Sequence, residues 1–194
     1  MAEMAKLPGV EIVADQAGWI ADDALPVAEA MLQADPTINL LWAANEGGTV
    51  ANALAVNSSG LADKVFVFGT DMNDQMAQML QSDDNVLQGV TGQAPYQMGY
   101  DTFKTAMTVL DGGTVEEVTN TPTIFFGRGM DDMIKQFVDT GGKAIFEVPA
   151  AEPSTKPAEA AKMTFAGVVF QSDTFMQTVQ AGMQAAADEA GAEL

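Results

Sequence analysis

The chain has 194 residues, 47% of them apolar, which suffices for one globular core with an appendage. Eight basic residues against 27 acidic ones leave a formal charge of −19. That balance disfavours nucleic acid and anionic membrane surfaces as partners, and its simplest meaning is solubility. Cysteine and histidine are absent, which excludes disulfides and thiolate catalysis and removes the commonest general base and transition-metal ligand. No cofactor, metal or catalytic residue is therefore expected. No apolar run approaches the roughly 18 residues of a membrane span, so no membrane insertion is expected. The opening residues MAEMAKLPG lack an apolar signal core, and the chain is expected to carry no signal peptide.

Residues 10–14 are expected to form a short strand, and the loop after it contains Asp15, Gly18 and Trp19. Asp22 or Asp23 can cap a helix through Val27, Ala28 and Leu32, which Asp35-Pro36 stops. Residues 38–43 are the next strand, and Asn45-Glu46-Gly47-Gly48 opens a helix reaching about Val56. KVFVF at 64–68 is the clearest strand, followed by Gly69-Thr70-Asp71 and a helix over 74–80. A weaker strand at 86–90 leads through Gln93-Ala94-Pro95 into a long helix over 96–110. Residues 123–126 and 130–138 supply a further strand and helix.

Strands alternating with helices predict an α/β fold with parallel pairing and right-handed crossovers. Residues 150–161, AAEPSTKPAEAA, read as a semi-extended linker because of Pro153 and Pro157. After it, MTFAGVVF at 163–170 has the near-continuous apolar pattern of a buried strand. Gln171, Ser172, Asp173 and Thr174 break that run, and Phe175, Val179, Met183 and Ala186 keep helical spacing up to Gly191.

The turns after these strands carry amides, acids and aromatics: Trp19, Asn45, Asp71, Gln93, and Asp173 with Phe175. In a parallel sheet such turns share one rim, where ligands are bound. Carboxylates and amides suit vicinal hydroxyls, and flat rings supply a stacking face, so the chemistry fits a neutral polyhydroxylated ligand. Each position has a plainer reading as well, as a helix cap or a packing residue.

The signposts VADQAGW, INLLWAANEGG, KVFVFGTDM and VTGQAPYQMG, in that order, resemble the carboxyl-terminal lobe of periplasmic sugar-binding proteins of the ribose/galactose type. FAGVVFQSDTFMQTVQAG resembles the family's first strand and first helix, which open the amino-terminal lobe. The resemblance implies a flavodoxin-like, three-layer doubly wound parallel sheet, a single periplasmic-binding-protein lobe that is circularly permuted. It divides the chain into residues 1–149 as the lobe, 150–161 as the linker and 162–194 as a β-α unit. That unit would complete the sheet where a central strand is missing, or be swapped into a second chain to make a homodimer. The resemblance also implies non-enzymatic binding of a glucose, galactose or ribose-class sugar for an ABC transporter, with periplasmic relatives. Asp173, Asn45, Asp71 and Gln93 would hydrogen-bond hydroxyls, while Phe175 and Trp19 would sandwich the ring.

The sequence departs from the family in order and in content. An arginine that contacts sugar in the family has no counterpart, since Arg128 lies outside the matching motifs. The alternative is an engineered or rearranged fragment that keeps the fold and binds no ligand. An enzymatic reading, with Asp15, Asp71 and Asp173 as a magnesium site, lacks the expected adjacent acids and placed lysine.

Overall fold

The computed structural model describes residues 6–146, 165–168 and 171–194. Its elements are α1 (Ala21–Ala34), β1 (Leu40–Trp42), α2 (Glu46–Ser58), β2 (Phe66–Thr70), α3 (Asp74–Gln81), β3 (Leu87–Gly92), α4 (Pro95–Leu110), β4 (Ile124–Gly127), α5 (Asp131–Thr140) and α6 (Thr174–Ala190). The strands form one sheet in the order β1-β2-β3-β4, and β1 pairs with β2 in parallel, Leu40 opposite Phe66. Alternation of helix and strand thus gives the α/β class that the sequence predicts.

The chain divides into two compact units. The first comprises residues up to 70, 78–90 and 127–129. Within it α2 packs on α1, β1 and β2. Ala51, Ala53, Ala55 and Val56 of α2 are buried, as are Ala24, Ala28 and Leu32 of α1, and small residues dominate because the two helices lie close. Strand alternation puts Leu41 and Val67 inside, while Leu40, Trp42 and Phe66 stay exposed. Helix α1 starts at Ala21, so Pro26 falls beyond its first turn and leaves a carbonyl without its intrahelical donor, a cost met at an exposed position.

The second unit comprises residues 71–77, 91–126 and 130–194. Its centre is the packing of α6 on α4, through a core of Tyr100, Phe103, Ala186 and Ala187. The Phe103 and Phe165 rings stack at 4.7 Å in a tilted arrangement. The Tyr100 hydroxyl donates to Glu189 Oε2 at 2.6 Å. Two glycines permit the helix crossing. A Cβ on Gly99 would lie 1.9 Å from the Val179 carbonyl oxygen, and one on Gly182 would lie 2.0 Å from that of Tyr96.

Two expected strands differ. Residues 10–14 are irregular, with Val10, Ile12 and Val13 exposed. Residues 165–168 also form no strand, and Val168 is 94% exposed. Phe165 instead donates its N–H to the Glu193 carbonyl at 2.9 Å. An apolar run becomes a strand only where a neighbour completes its hydrogen-bond ladder; residues 165–168 have the single Phe165–Glu193 bond rather than a ladder, and 10–14 pair with no strand among the described residues. Residues 163, 164, 169 and 170, with the linker at 150–161, lie outside the described residues.

Candidate functional site

In the first unit, Asn45 closes the turn between β1 and α2. It is the N-cap of α2: its Oδ1 accepts from the Gly48 N–H at 2.9 Å, and its Nδ2 donates to the Trp19 carbonyl at 2.7 Å. Gly47 allows this approach, since a Cβ there would sit 2.8 Å from Ala21 N and 2.9 Å from Trp19 O. Buried Thr49 fixes the same rim. Its hydroxyl donates to Asn45 O at 2.7 Å and accepts from Thr70 N–H at 3.1 Å, while the Thr70 hydroxyl donates to Ala43 O at 2.7 Å. Asn45 retains one amide proton to offer a ligand, and Trp19 is 58% exposed. Replacing Asn45 by Ala removes a cap and a loop tether together. The expected cost is about 1–2 kcal/mol, measured by denaturant unfolding.

In the second unit, Asp71 follows β2 and is only 8% exposed. Its φ is +68°, the left-handed region that Asp tolerates better than most residues. Its N–H donates to Thr91 O at 2.9 Å, and its Oδ1 accepts from Gln93 Nε2 at 2.5 Å. The turns after β2 and β3 are therefore tied to each other by a carboxylate–amide pair. Next to Asp71, buried Asn73 accepts the Met76 N–H at 2.8 Å. Asp173 is the N-cap of α6: its Oδ1 accepts from Met176 N–H at 2.9 Å and its Oδ2 from Gln171 Nε2.

A cavity of about 190 Å³ lies in this unit. Its walls include Met72 and Asn73 before α3, Tyr96 at the start of α4, Phe137 of α5 and Phe175 at the start of α6. Lys143 also lines it, with Nζ 4.2 Å from the Tyr96 ring centroid.

The structure thus joins Asp71 to Gln93, sets Phe175 in the cavity wall and uses Asp173 to cap the helix that carries Phe175. Trp19 and Asn45 belong to the first unit, where backbone carbonyl and amide side chain bind each other. Sequence reasoning missed Tyr96, Phe137 and Lys143. Tyr96 had a signal, since an aromatic directly after Pro95 opens a helix at a strand end, whereas Phe137 and Lys143 lie in a helix and a turn with no ligand signature. Among the described residues, no three His, Cys, Asp or Glu side chains are grouped to hold a metal ion. None of the described helices is long and apolar enough to cross a membrane.

Comparison with known proteins adds four findings. Residues 1–114 match the periplasmic binding protein domain. The ABC transporter periplasmic-binding protein YphF of Escherichia coli K12 is 32% identical over 106 residues, which is 55% of this chain and 32% of that protein. A carbohydrate transporter solute-binding protein from Agrobacterium radiobacter, crystallised with D-arabinose, is 31% identical with a TM-score of 0.61, covering 69% of this chain and 45% of that one. An ABC transporter solute-binding protein from Actinobacillus succinogenes with bound D-allose is 26% identical with a TM-score of 0.60, covering 68% and 46%. The chain spans about a third of the curated relative and under half of each of these solved structures.

Proposed function

We infer that this chain, which belongs to the periplasmic binding protein domain family, recognises a monosaccharide by hydrogen bonding and ring stacking. The family is the non-enzymatic, solute-binding component of ABC transporters. The observation that carries the sugar reading is the Asp71–Gln93 pair. A buried carboxylate and an amide held 2.5 Å apart offer acceptors and a donor side by side, the set that vicinal hydroxyls require. Phe175 adds an apolar face in the neighbouring cavity wall. Relatives at 31% and 26% identity hold D-arabinose and D-allose, which supports a sugar of the glucose, galactose or ribose class.

Asp173 is assigned a secondary part in this recognition, and Asn45 and Trp19 are proposed as sugar contacts of the first unit by themselves. The division into residues 1–149, a linker at 150–161 and a terminal unit from 162 is part of this reading, as is exchange of that unit in a homodimer. The relatives' periplasmic setting is the one proposed here. Affinity is expected to be weak for a chain that spans under half of its solved relatives, because a partial cleft buries less of the ligand.

Calorimetric titration with glucose, galactose and ribose tests this. Asp71→Asn keeps the size of the side chain and its tolerance of positive φ but removes the charge, and should weaken binding at least about ten-fold. Equal affinity in the variant would remove Asp71 from the site. A second reading, a folded domain without ligand, draws on the caps: Asn45 and Asp173 both give a side-chain oxygen to their own helix. Absence of heat at millimolar sugar from a folded sample would favour it.

A further inference from the structure

The cavity in the second unit has a charge feature that a neutral sugar does not need. In a chain with 27 acidic and eight basic side chains, carboxylates are the abundant partners for a cation, and Arg128 and Lys135 each have one. Lys143 does not: among the described residues no carboxylate lies within ion-pair distance of it. Its ammonium is instead held over the Tyr96 ring in the cavity wall, 4.2 Å from the centroid. A lysine ammonium placed by an aromatic ring, with no carboxylate on it, has N–H donors to offer a ligand.

The rest of the wall works in the same direction. Residues at the amino ends of α3, α4 and α6 line the cavity, through Asn73, Tyr96 and Phe175 respectively. Each end carries a partial positive charge, and that of α4 has no side-chain cap. Asp74 is the acid in the lining, and its place in the first turn of α3 sets its charge against that helix dipole. The chain's overall charge of −19 is repulsive at long range but screened beyond about 8 Å at physiological salt, so the local groups decide.

We propose that this cavity takes a monosaccharide bearing a carboxylate, its ring against Tyr96 and Phe175 and its anionic group on Lys143. A volume of about 190 Å³ is on the scale of a single ring, a cavity of about 150 Å³ being enough to hold benzene. The assignment rests on the sugar-binding reading and names the class of sugar. The site selects by charge at Lys143 and by shape at the two rings.

The test is calorimetric titration of the full chain with galacturonate, its neutral methyl ester and galactose, at physiological ionic strength and neutral pH. Galacturonate should bind about ten-fold tighter than either neutral compound, the size of one charge-assisted hydrogen bond at a partly exposed site. In Lys143→Gln that ratio should collapse towards one. Galacturonate binding no tighter than galactose, or a preference that persists in Lys143→Gln, overturns the assignment and leaves the sugar reading standing. No binding of any of the three by a folded sample overturns both. Lys143 is exposed, so the substitution leaves folding intact.

Discussion

Gly182→Ala and Gly99→Ala should each lower stability by about 2–3 kcal/mol, although alanine is the better helix former. In an isolated helix interior the exchange is worth about 1 kcal/mol in favour of alanine. Here the added Cβ would stand 2.0 Å from Tyr96 O at position 182, and 1.9 Å from Val179 O at position 99. Both obstacles are backbone carbonyls, so no side-chain rotation relieves them and the helices must separate. Separation also loosens the Tyr100–Glu189 bond and the Phe103 cluster. For a chain of this size the loss corresponds to a Tm lower by roughly 4–12 °C. The double variant should cost less than the sum, because both methyl groups open one crossing. A rise in Tm for either single variant would show that α6 does not dock on α4.

Alkaline titration gives that docking a second readout. Burial first, then the hydrogen bond to Glu189 and its charge, push the Tyr100 phenol up from 10.0 to about 12. A phenol whose folded pKa is raised contributes stability that is complete below pH 10 and is lost as pH climbs through 12. In Gly182→Ala the phenolate should form nearer 10, seen by its absorbance, because the separated helices readmit water to the hydroxyl.

Arg128→Met should cost about 3 kcal/mol in the first unit without altering sugar binding. The guanidinium donates to three carbonyls: Ser82 O at 2.5 Å, Met79 O at 3.0 Å and Leu87 O at 3.2 Å. Met79 and Ser82 mark the end of α3, where helical carbonyls lack partners, so this arginine supplies the cap that no glycine provides. Each bond to a charged donor contributes about 1.5–3 kcal/mol, and methionine removes all three, although Met79 O keeps the Ser82 N–H and hydroxyl as donors. Arg128→Lys keeps the charge and loses the planar fork, so it should recover less than half of the loss. Stability unchanged in Arg128→Met would remove this role.

The same arginine reaches Asp84, with Nη2 3.7 Å from Oδ1. Burial alone would raise the Asp84 carboxyl, but hydrogen bonds from Ser82, Asn57 and the Val86 N–H, with the Arg128 charge, hold it below its ordinary value. A depressed carboxyl contributes stability that is present above its unfolded pKa and lost as pH falls through its folded one. Arg128→Met should therefore move the Asp84 titration, followed by NMR, back towards the usual carboxylate range. It should also reduce the acid sensitivity of the fold.

Much of the architecture is legible in residue patterns. KVFVF, the capping turn at Asn45, the Pro95 start of α4 and the Gly191 stop of α6 act within a few residues, so local chemistry identifies them. Residues 10–14 and 165–168 carry strand patterns as clear as β1 and remain irregular, because a strand also needs a partner that no local pattern supplies. The site divides in the same way. Asn45 and Asp173 were readable as caps from their place before helices, and Asp71 and Gln93 as polar residues at strand ends. That Asp71 adopts positive φ and is bonded to Gln93 depends on two turns meeting, 22 residues apart in the chain.

The sequence by itself determined the β-α alternation, the absence of cysteine and histidine chemistry, and the acidic character of the surface. All three follow from composition and from periodicity within single elements. Only the tertiary structure decided that Gly99 and Gly182 are contact points rather than weak places in helices. It also turned the sole arginine into a helix cap and put Lys143 over Tyr96 in a cavity wall. The reason is physical: packing distance and charge pairing are properties of atoms brought together from distant positions, and the residue types alone do not encode which of them meet.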